Sequence, residues 1–133
     1  MHKRIWKKKQ GVSAATKAAI QITREWQDKV TSQDQRYTAE FAVAGLGEKI
    51  DLVDSTTRVA YELKVSPNNP HMEFYRDMFK VLAHNEASTP EQRLSKLVFI
   101  TPPEGAARLQ RGLGCVACRI AQKFGFTVEV IPL

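Results

Sequence analysis

Residues 49–65, which read KIDLVDSTTRVAYELKV, decide the fold of this chain. Two runs of apolar and β-branched residues flank a polar SerThrThr link, so we predict strands over about 48–54 and 58–65 joined by a short turn. Residues 37–44 alternate well enough for a preceding strand, and a glycine pair then marks a turn. Three consecutive strands with tight links predict an antiparallel meander.

Apolar residues spaced three and four apart predict three helices, over about 13–31, 71–85 and 105–124. Ser13 is placed to cap the first helix, and two glycines inside the third weaken it and allow a break. The side chains expected to face the core are Ala15, Ala19, Ile22, Trp26 and Val30, then Met72, Tyr75, Phe79 and Leu82, then Leu109, Leu113, Val116, Ile120 and Phe124.

Two further apolar runs, at 97–101 and 126–131, predict strands, the first of them buried on both faces. The element order is then α, β, β, β, α, β, α, β. Alternation of strands and helices in the second half favours parallel pairing through crossovers, while the first strands pair as hairpins. The sequence therefore predicts an α/β fold with a mixed central sheet and helices on both faces.

The chain of 133 residues carries a formal charge of +6 and fits one domain, 1–133. Residues 1–17 and 105–128 contain basic side chains and no carboxylate, and we expect residues 1–12 to form a basic N-terminal segment, which could be flexible. Such stretches attract polyanions without selecting a sequence, although a solvated basic surface explains them equally well. No apolar run reaches the roughly 18 residues of a membrane helix, so we expect an intracellular, cytoplasmic protein with no membrane partner.

Cysteine usage gives little support for a metal or redox site. Cys115 and Cys118 form a lone CxxC inside a helical pattern, whereas zinc needs about four ligands. We therefore interpret both as small packing residues.

Period two along the strands brings three chemically active side chains together. Glu62 and Lys64 share one face of the third strand with Ala60, and the opposite face, which begins at Val59, is expected to be the core side. If the apolar faces of neighbouring strands pack together, Asp51 lies beside Glu62 and Lys64. The lysine stands about 6.6 Å along the strand from the glutamate, which leaves space for a water or a phosphate.

Two carboxylates this close repel each other, and a hard cation such as Mg²⁺ would relieve that repulsion while keeping waters and phosphate oxygens as further ligands. Phosphodiester hydrolysis is the chemistry that uses this set, because a metal acidifies the attacking water and a lysine can orient it. The alternative is an ordinary exposed ExK pair with an unrelated surface acid.

The two segments KIDLV at 49–53 and YELKV at 61–65 resemble the PD-(D/E)xK nuclease superfamily, the restriction-endonuclease-like fold that includes archaeal Holliday junction resolvases. The predicted αβββαβ order over 13–101 is also similar to that family's core. Ile50 stands where the namesake proline would be. The resemblance implies that Asp51, Glu62 and the carbonyl of Leu63 bind the metal and that Lys64 positions the nucleophile.

The resemblance further implies a Mg²⁺-dependent endonuclease acting on DNA, with Mn²⁺ as a substitute. Because two cuts in a duplex need two sites, a homodimer is expected, or a partner subunit that supplies recognition. The alternative is an inactive nucleic-acid-binding module, or an interaction subunit, that retains the fold.

Several other residues are secondary candidates. Members of this family often recruit a further carboxylate, which Glu25 or Glu40 could provide. His71 and His84 could act as proton shuttles, although a structural place on the helix explains them more plainly. Arg76 and Lys80 could contact phosphate groups or simply pair with Glu73 and Asp77. Trp6 and Trp26 could stack on bases, although Trp26 is better placed in the core.

Overall fold

The computed structural model describes residues 13–66, 68–112 and 114–133, without the side chain of Cys115. The expectations for the basic segment 1–12 with Trp6, for Leu113, and for the side chain of Cys115 lie outside the described residues.

Within the described residues, the fold is a five-stranded mixed sheet with four helical segments. The strands are β1 Tyr37–Ala42, β2 Lys49–Asp54, β3 Val59–Leu63, β4 Lys96–Thr101 and β5 Thr127–Pro132. The helices are α1 Ala14–Gln33, α2 Pro70–Glu86, α3 Pro103–Gly112 and α4 Gly114–Lys123, with one turn of 3-10 helix at Pro90–Gln92. The strands follow the order β1-β2-β3-β4-β5, antiparallel across the first three and parallel across the last three.

The predicted α/β class, the meander and the parallel second half are confirmed. Ser13 caps α1 through a bond of 3.1 Å from the Thr16 N–H. The predicted third helix is helical over Pro103–Gly112 and Gly114–Lys123, and residue 113, where its two flanking glycines allow a break, lies outside the described residues. Strand β3 ends at Leu63, so Lys64 lies one residue beyond it rather than inside a strand. Within the described residues, no helix is both long and apolar enough to cross a membrane.

The prediction of the core side of β3 is wrong. Ala60 and Glu62 are buried, at 0% and 3% exposed, whereas Val59, Tyr61 and Leu63 are half-buried. Glu62 pairs in parallel register with Phe99 of β4, so these two side chains share a face of the sheet. Phe74 of α2 packs edge-on against Phe99, with ring centroids 5.4 Å apart, and α2 therefore covers the face that carries the glutamate.

The predicted inward face is wrong for α2 and α4 and is confirmed only in part for α1 and α3. In α2, Met72, Tyr75 and Phe79 are exposed, and the buried side carries Pro70, Phe74, Asp77, Met78, Lys80, Val81, His84 and Asn85. In α1, Ala15 and Ile22 are exposed, Ala19, Trp26 and Val30 are half-buried, and the one buried residue is Gln27. Val116 and Ile120 of α4 and Phe124, which directly follows it, are exposed, while Leu109 of α3 is buried as expected. Ion pairs and hydrogen bonds compensate for the burial of the polar side of α2, which an apolar pattern does not reveal.

The C-terminal end of α2 is fixed by two polar side chains. Nδ1 of His84 accepts the Ala44 N–H at 3.0 Å, and its Nε2 lies 3.0 Å from the Gln92 carbonyl. Asn85 bonds both backbone groups of Leu94, at 3.0 Å from its Nδ2 and 2.7 Å to its Oδ1. The end of α2 is thereby tied to the segment that leads into β4.

Candidate functional site

A cavity of about 510 Å³ lies between α1, α2 and the adjoining ends of β2 and β3. Its charged lining residues are Arg24, Glu40, Asp51, Glu62, Lys64, Glu73, Arg76, Asp77 and Lys80. Thr16, Ala19, Ile20, Thr23, Gln27, Leu63, Val65 and Ser66 complete the wall. The cavity therefore joins Asp51, Glu62 and Lys64 with charged residues of α2.

Strands β2 and β3 separate where the two acids lie. Their paired register runs from Asp54↔Val59 to Leu52↔Tyr61 and does not continue to the next pair. At that point the Leu63 N–H donates to Asp51 Oδ2 at 2.8 Å, and the Asp51 N–H donates to Glu62 Oε1 at 3.1 Å. The two carboxyl groups thus accept hydrogen bonds in place of the backbone carbonyls that would accept them in a regular pair of strands. These bonds hold Asp51 and Glu62 next to each other.

Lys80 supplies the positive charge that meets this pair. Its ammonium nitrogen, Nζ, lies 2.9 Å from Glu62 Oε2, 3.2 Å from Asp77 Oδ1 and 2.8 Å from the Lys49 carbonyl. Glu62, Asp77 and Lys80 are all buried. Three carboxyl groups and one ammonium group therefore share the floor of the cavity, which leaves negative charge in excess when all are ionised.

The acids of the floor titrate near neutrality. Burial, followed by the charge of Glu62, raises the pKa of Asp51 to about 7. Burial and the charge of Asp77 raise the pKa of Glu62 to about 8, against the opposing effect of Lys80. Burial also raises the pKa of Asp77 to about 6, although Lys80 opposes it. Burial alone would lower the pKa of Lys80, but the two carboxylates outweigh it and the pKa is raised.

Gln27 of α1 closes the opposite side of the cavity. Its Nε2 donates to Glu40 Oε2 at 2.8 Å and to the Asp51 carbonyl at 2.7 Å. Glu40 has φ of 51°, a left-handed conformation that is uncommon for a residue with a side chain. The distortion lies directly across from Asp51, at the point where the β1–β2 pairs skip from Ala39↔Leu52 to Phe41↔Ile50. Backbone strain of this kind is concentrated at functional sites.

The other predicted candidates divide between the cavity and the rest of the molecule. Lys64 is half-buried in the cavity wall. Glu40 lines the cavity, whereas Glu25 is exposed, accepts a bond from Gln21 and lies outside the lining. His84 has a structural role in holding α2.

The helix residues predicted as phosphate contacts are both paired. Arg76 lines the cavity and bonds Glu48 at 2.7 Å rather than Glu73 or Asp77. Lys80 pairs with Asp77, as one alternative expected, and also with Glu62. His71 lies half-buried against Tyr75, with ring centroids 6.2 Å apart, and Trp26 is half-buried.

Sequence reasoning missed Asp77 as a site residue, the contact of Lys80 with Glu62, and Gln27. A signal existed in α2, where Asp77 and Lys80 at i and i+3 lie on one helix side together with the apolar Phe74 and Val81. Charged residues on a helix side that also carries large apolar residues either lie at the solvent-exposed edge of that side or form a buried polar cluster. For Gln27 we find no comparable signal in the sequence.

The donor atoms of the floor match the chemistry of a hard cation, which takes carboxylate oxygens and keeps waters. Asp51 and Glu62 provide two carboxyl groups on one cavity, and their raised pKa values mean that mutual repulsion and burial are not fully relieved by Lys80. Among residues 13–66, 68–112 and 114–133, no three His, Cys, Asp or Glu side chains form a group that could hold a metal ion. The fit is therefore to two carboxylate ligands supplemented by backbone, water or substrate oxygens.

No protein-family model, curated protein or solved structure matches the chain.

Proposed function

We propose that the protein is a metal-dependent nuclease that hydrolyses DNA phosphodiester bonds in the cavity between α1 and α2. The observation that carries this proposal is a pair of hydrogen bonds between backbone N–H groups and carboxyl groups where β2 and β3 separate. The Leu63 N–H holds Asp51, the Asp51 N–H holds Glu62, and Lys64 follows one residue after Leu63 in the wall of the same cavity. The αβββαβ order of elements in residues 14–101 is what the PD-(D/E)xK resemblance implies, and it supports the same assignment.

In this proposal Asp51 and Glu62 hold Mg²⁺, or Mn²⁺ in its place, with the carbonyl of Leu63 as a further ligand. The bound cation would polarise a phosphoryl oxygen and acidify the attacking water. Lys64 orients that water from the cavity wall. Lys80 holds Oε2 of Glu62 while Oε1 accepts the Asp51 N–H, and its charge limits the repulsion among the floor acids.

Substrate binding in this proposal rests on cationic and hydroxyl side chains of the cavity lining. Arg24 of α1 and Lys64 line the cavity, and Thr16 and Ser66 add hydroxyl groups. Cations and hydroxyl groups are the side chains that most often contact the nucleic-acid backbone. Affinity of this origin falls as salt rises and does not select a sequence.

The test is cleavage of supercoiled, linear, branched and single-stranded DNA with Mg²⁺, Mn²⁺ or EDTA. Asp51→Asn and Glu62→Gln are the preferred variants, because an amide oxygen still accepts the backbone N–H that each carboxyl group accepts. Glu129→Gln removes an acid paired with Lys96 outside the cavity and serves as the matched control. We expect cleavage to fall by about a hundredfold or more in both cavity variants, since loss of one electrostatic group at a reaction centre costs roughly that much.

Cleavage that persists in EDTA, or that survives in both amide variants, rejects the nuclease assignment. A folded wild-type protein that cuts none of the four substrates rejects it as well.

One observation favours the second candidate, a nucleic-acid-binding or interaction subunit without catalysis. Lys80 already bonds Glu62 Oε2, an oxygen that a cation would otherwise use. In that case the ammonium group is the permanent counter-ion of the acids. Retention of DNA that is equal with and without Mg²⁺, and indifferent to Asp51→Asn, would identify this function.

A further inference from the structure

The outward sides of α2 and α4 carry large apolar side chains that contact little of the described chain. Met72 and Phe79 of α2 are 71% and 58% exposed, and Phe124, which directly follows α4, is 62% exposed. Tyr75 of α2 and Val116 and Ile120 of α4 are also exposed. Within each group these positions are three or four residues apart, so they form one stripe on each helix.

The two helices are neighbours, and their stripes meet near the C-terminal ends. Helix α2 connects β3 to β4, and α4 leads from α3 into β5. Because β3, β4 and β5 are parallel, both helices run antiparallel to these strands and therefore parallel to each other. Phe74 of α2 and Ala117 of α4 line the same cavity, of about 410 Å³. Nearer the C-terminal ends, Leu82 and Phe124 line another cavity together. We call the combined face the α2–α4 surface, formed by Met72, Tyr75, Phe79, Leu82, Val116, Ile120 and Phe124.

The α2–α4 surface is about as large as the largest apolar patch of a typical monomeric protein. Large side chains bury roughly 150–250 Å² each, so the exposed fractions correspond to about 600 Å² of apolar area. A patch of this size lies at the upper end of the range for monomeric proteins, and patches of that size often have a function. Two such faces brought together would bury about 1,200 Å², which is the lower bound for a specific, stable interface.

We propose that the α2–α4 surface is where a second copy of this chain docks in a two-fold symmetric dimer. A two-fold axis parallel to the helices places α2 of one copy on α4 of the other, with their C-terminal ends level. Glu86 is exposed at the end of α2 and Lys123 is exposed at the end of α4. That arrangement brings each Glu86 close to Lys123 of the second copy. Opposite charges therefore meet at the rim of the interface.

A second copy fits the surface better than a polyanion does. The seven side chains of the α2–α4 surface carry no formal charge, and its rim carries both signs rather than a basic stripe. The dimer does not depend on the proposed chemistry of the cavity between α1 and α2, because none of the seven residues lines that cavity. Failure of one proposal therefore leaves the other intact.

The first test is sedimentation equilibrium of the full chain from about 1 to 200 µM, a range set by the micromolar affinities common for interfaces of modest area. We expect a reversible monomer–dimer equilibrium in the wild type. Hydrogen exchange at the two ends of this concentration range should show added protection in residues 72–82 and 116–124, and little change in α1.

Variants locate the interface. Phe79→Glu and Phe124→Glu should each weaken the dimer by about a hundredfold, because an unpaired carboxylate would be buried. Ile22→Glu is the matched control, since Ile22 is a comparable apolar residue, 44% exposed, on α1. Glu86→Lys and Lys123→Glu should each weaken the dimer, and the double variant should recover it.

A wild type that stays monomeric to 200 µM overturns the proposal. A dimer that withstands both Phe79→Glu and Phe124→Glu, or one that is protected elsewhere in hydrogen exchange, overturns it as well. Because the wild-type measurements need no substitution, a variant that fails to fold does not rescue the proposal. A double charge exchange that brings no recovery overturns the two-fold pairing of α2 with α4.

Discussion

Replacing Lys80 with methionine should destabilise the protein strongly at pH 8 and much less at pH 5. The ammonium group contacts Glu62 and Asp77 within 3.2 Å and also the Lys49 carbonyl, and all three charged side chains of this cluster are buried. Methionine fills similar space but leaves the two buried acids without this cation, so at pH 8 each must either stay ionised without it or bind a proton against the solution pH. Breaking a buried ion pair on one side costs about 3–5 kcal/mol, so we expect that loss of unfolding free energy at pH 8.

The pH dependence follows from the direction of the carboxyl shifts. The pKa of Glu62 is raised to about 8 and that of Asp77 to about 6, above the values of an unfolded chain. A group with a raised pKa in the folded state binds more protons there, so stability is highest below the unfolded pKa and is lost as the pH rises through the folded pKa. At pH 5 both acids are largely neutral, and Lys80→Met then loses only hydrogen bonds, about 1–2 kcal/mol.

Urea denaturation followed by circular dichroism at pH 5 and pH 8 measures both numbers. Lys64→Met is the matched control, because Lys64 is half-buried in the same cavity and should change stability by about 0.5 kcal/mol or less. An equal loss at the two pH values, or a loss below about 1 kcal/mol at pH 8, would refute the account of Lys80 as the counter-ion of the acids.

Three further outcomes are expected. In the wild type, the free energy of unfolding should fall as the pH rises from 5 to 8, by up to about 1.4 kcal/mol per pH unit for each proton that only the folded state retains. A urea midpoint that does not change with pH would contradict the raised pKa values. Gln27→Met should cost about 1–2 kcal/mol in urea denaturation, because the bonds to Glu40 and to the Asp51 carbonyl are lost, and unchanged stability would show those bonds to be unimportant. With Mg²⁺ at about 100 times its Kd, the proposed metal site should add about 2.7 kcal/mol at pH 8 by calorimetry, and the same gain in Asp51→Asn would count against the site.

The pairing of the two acids could be predicted from the sequence because it depends only on local geometry. A short link between two strands fixes an antiparallel register, and period two then puts Asp51 across from Glu62 whichever face is buried. The choice of face could not be predicted in the same way. Val59, Tyr61 and Leu63 formed the more apolar side, but α2 packs on the other side, where Phe99 lies beside Glu62.

The orientation of α2 escaped prediction for a related reason. Charged residues are rarely buried unless they are paired, so a pattern based on apolar spacing assigned Asp77 and Lys80 to solvent. Their partner Glu62 lies on a different element, 18 residues before Lys80 in the chain. A compensating contact over that sequence separation leaves no periodic signal. The same misassignment put Met72 and Phe79 in the core, although they are exposed.

The anchoring of α2 through Asn85 and His84 also determines the rotation of the helix about its own axis. Because each residue of an α-helix turns by about 100°, a slip of one position at the anchored end would swing Lys80 away from the sheet. Lys80 lies five residues, or about 7.5 Å, from Asn85, too short a distance for a helix to absorb such an error by bending. The amide that bonds the backbone of Leu94 thus sets the angular position of the ammonium group against Glu62, and a substitution at Asn85 would misdirect a charge more than one helical turn away.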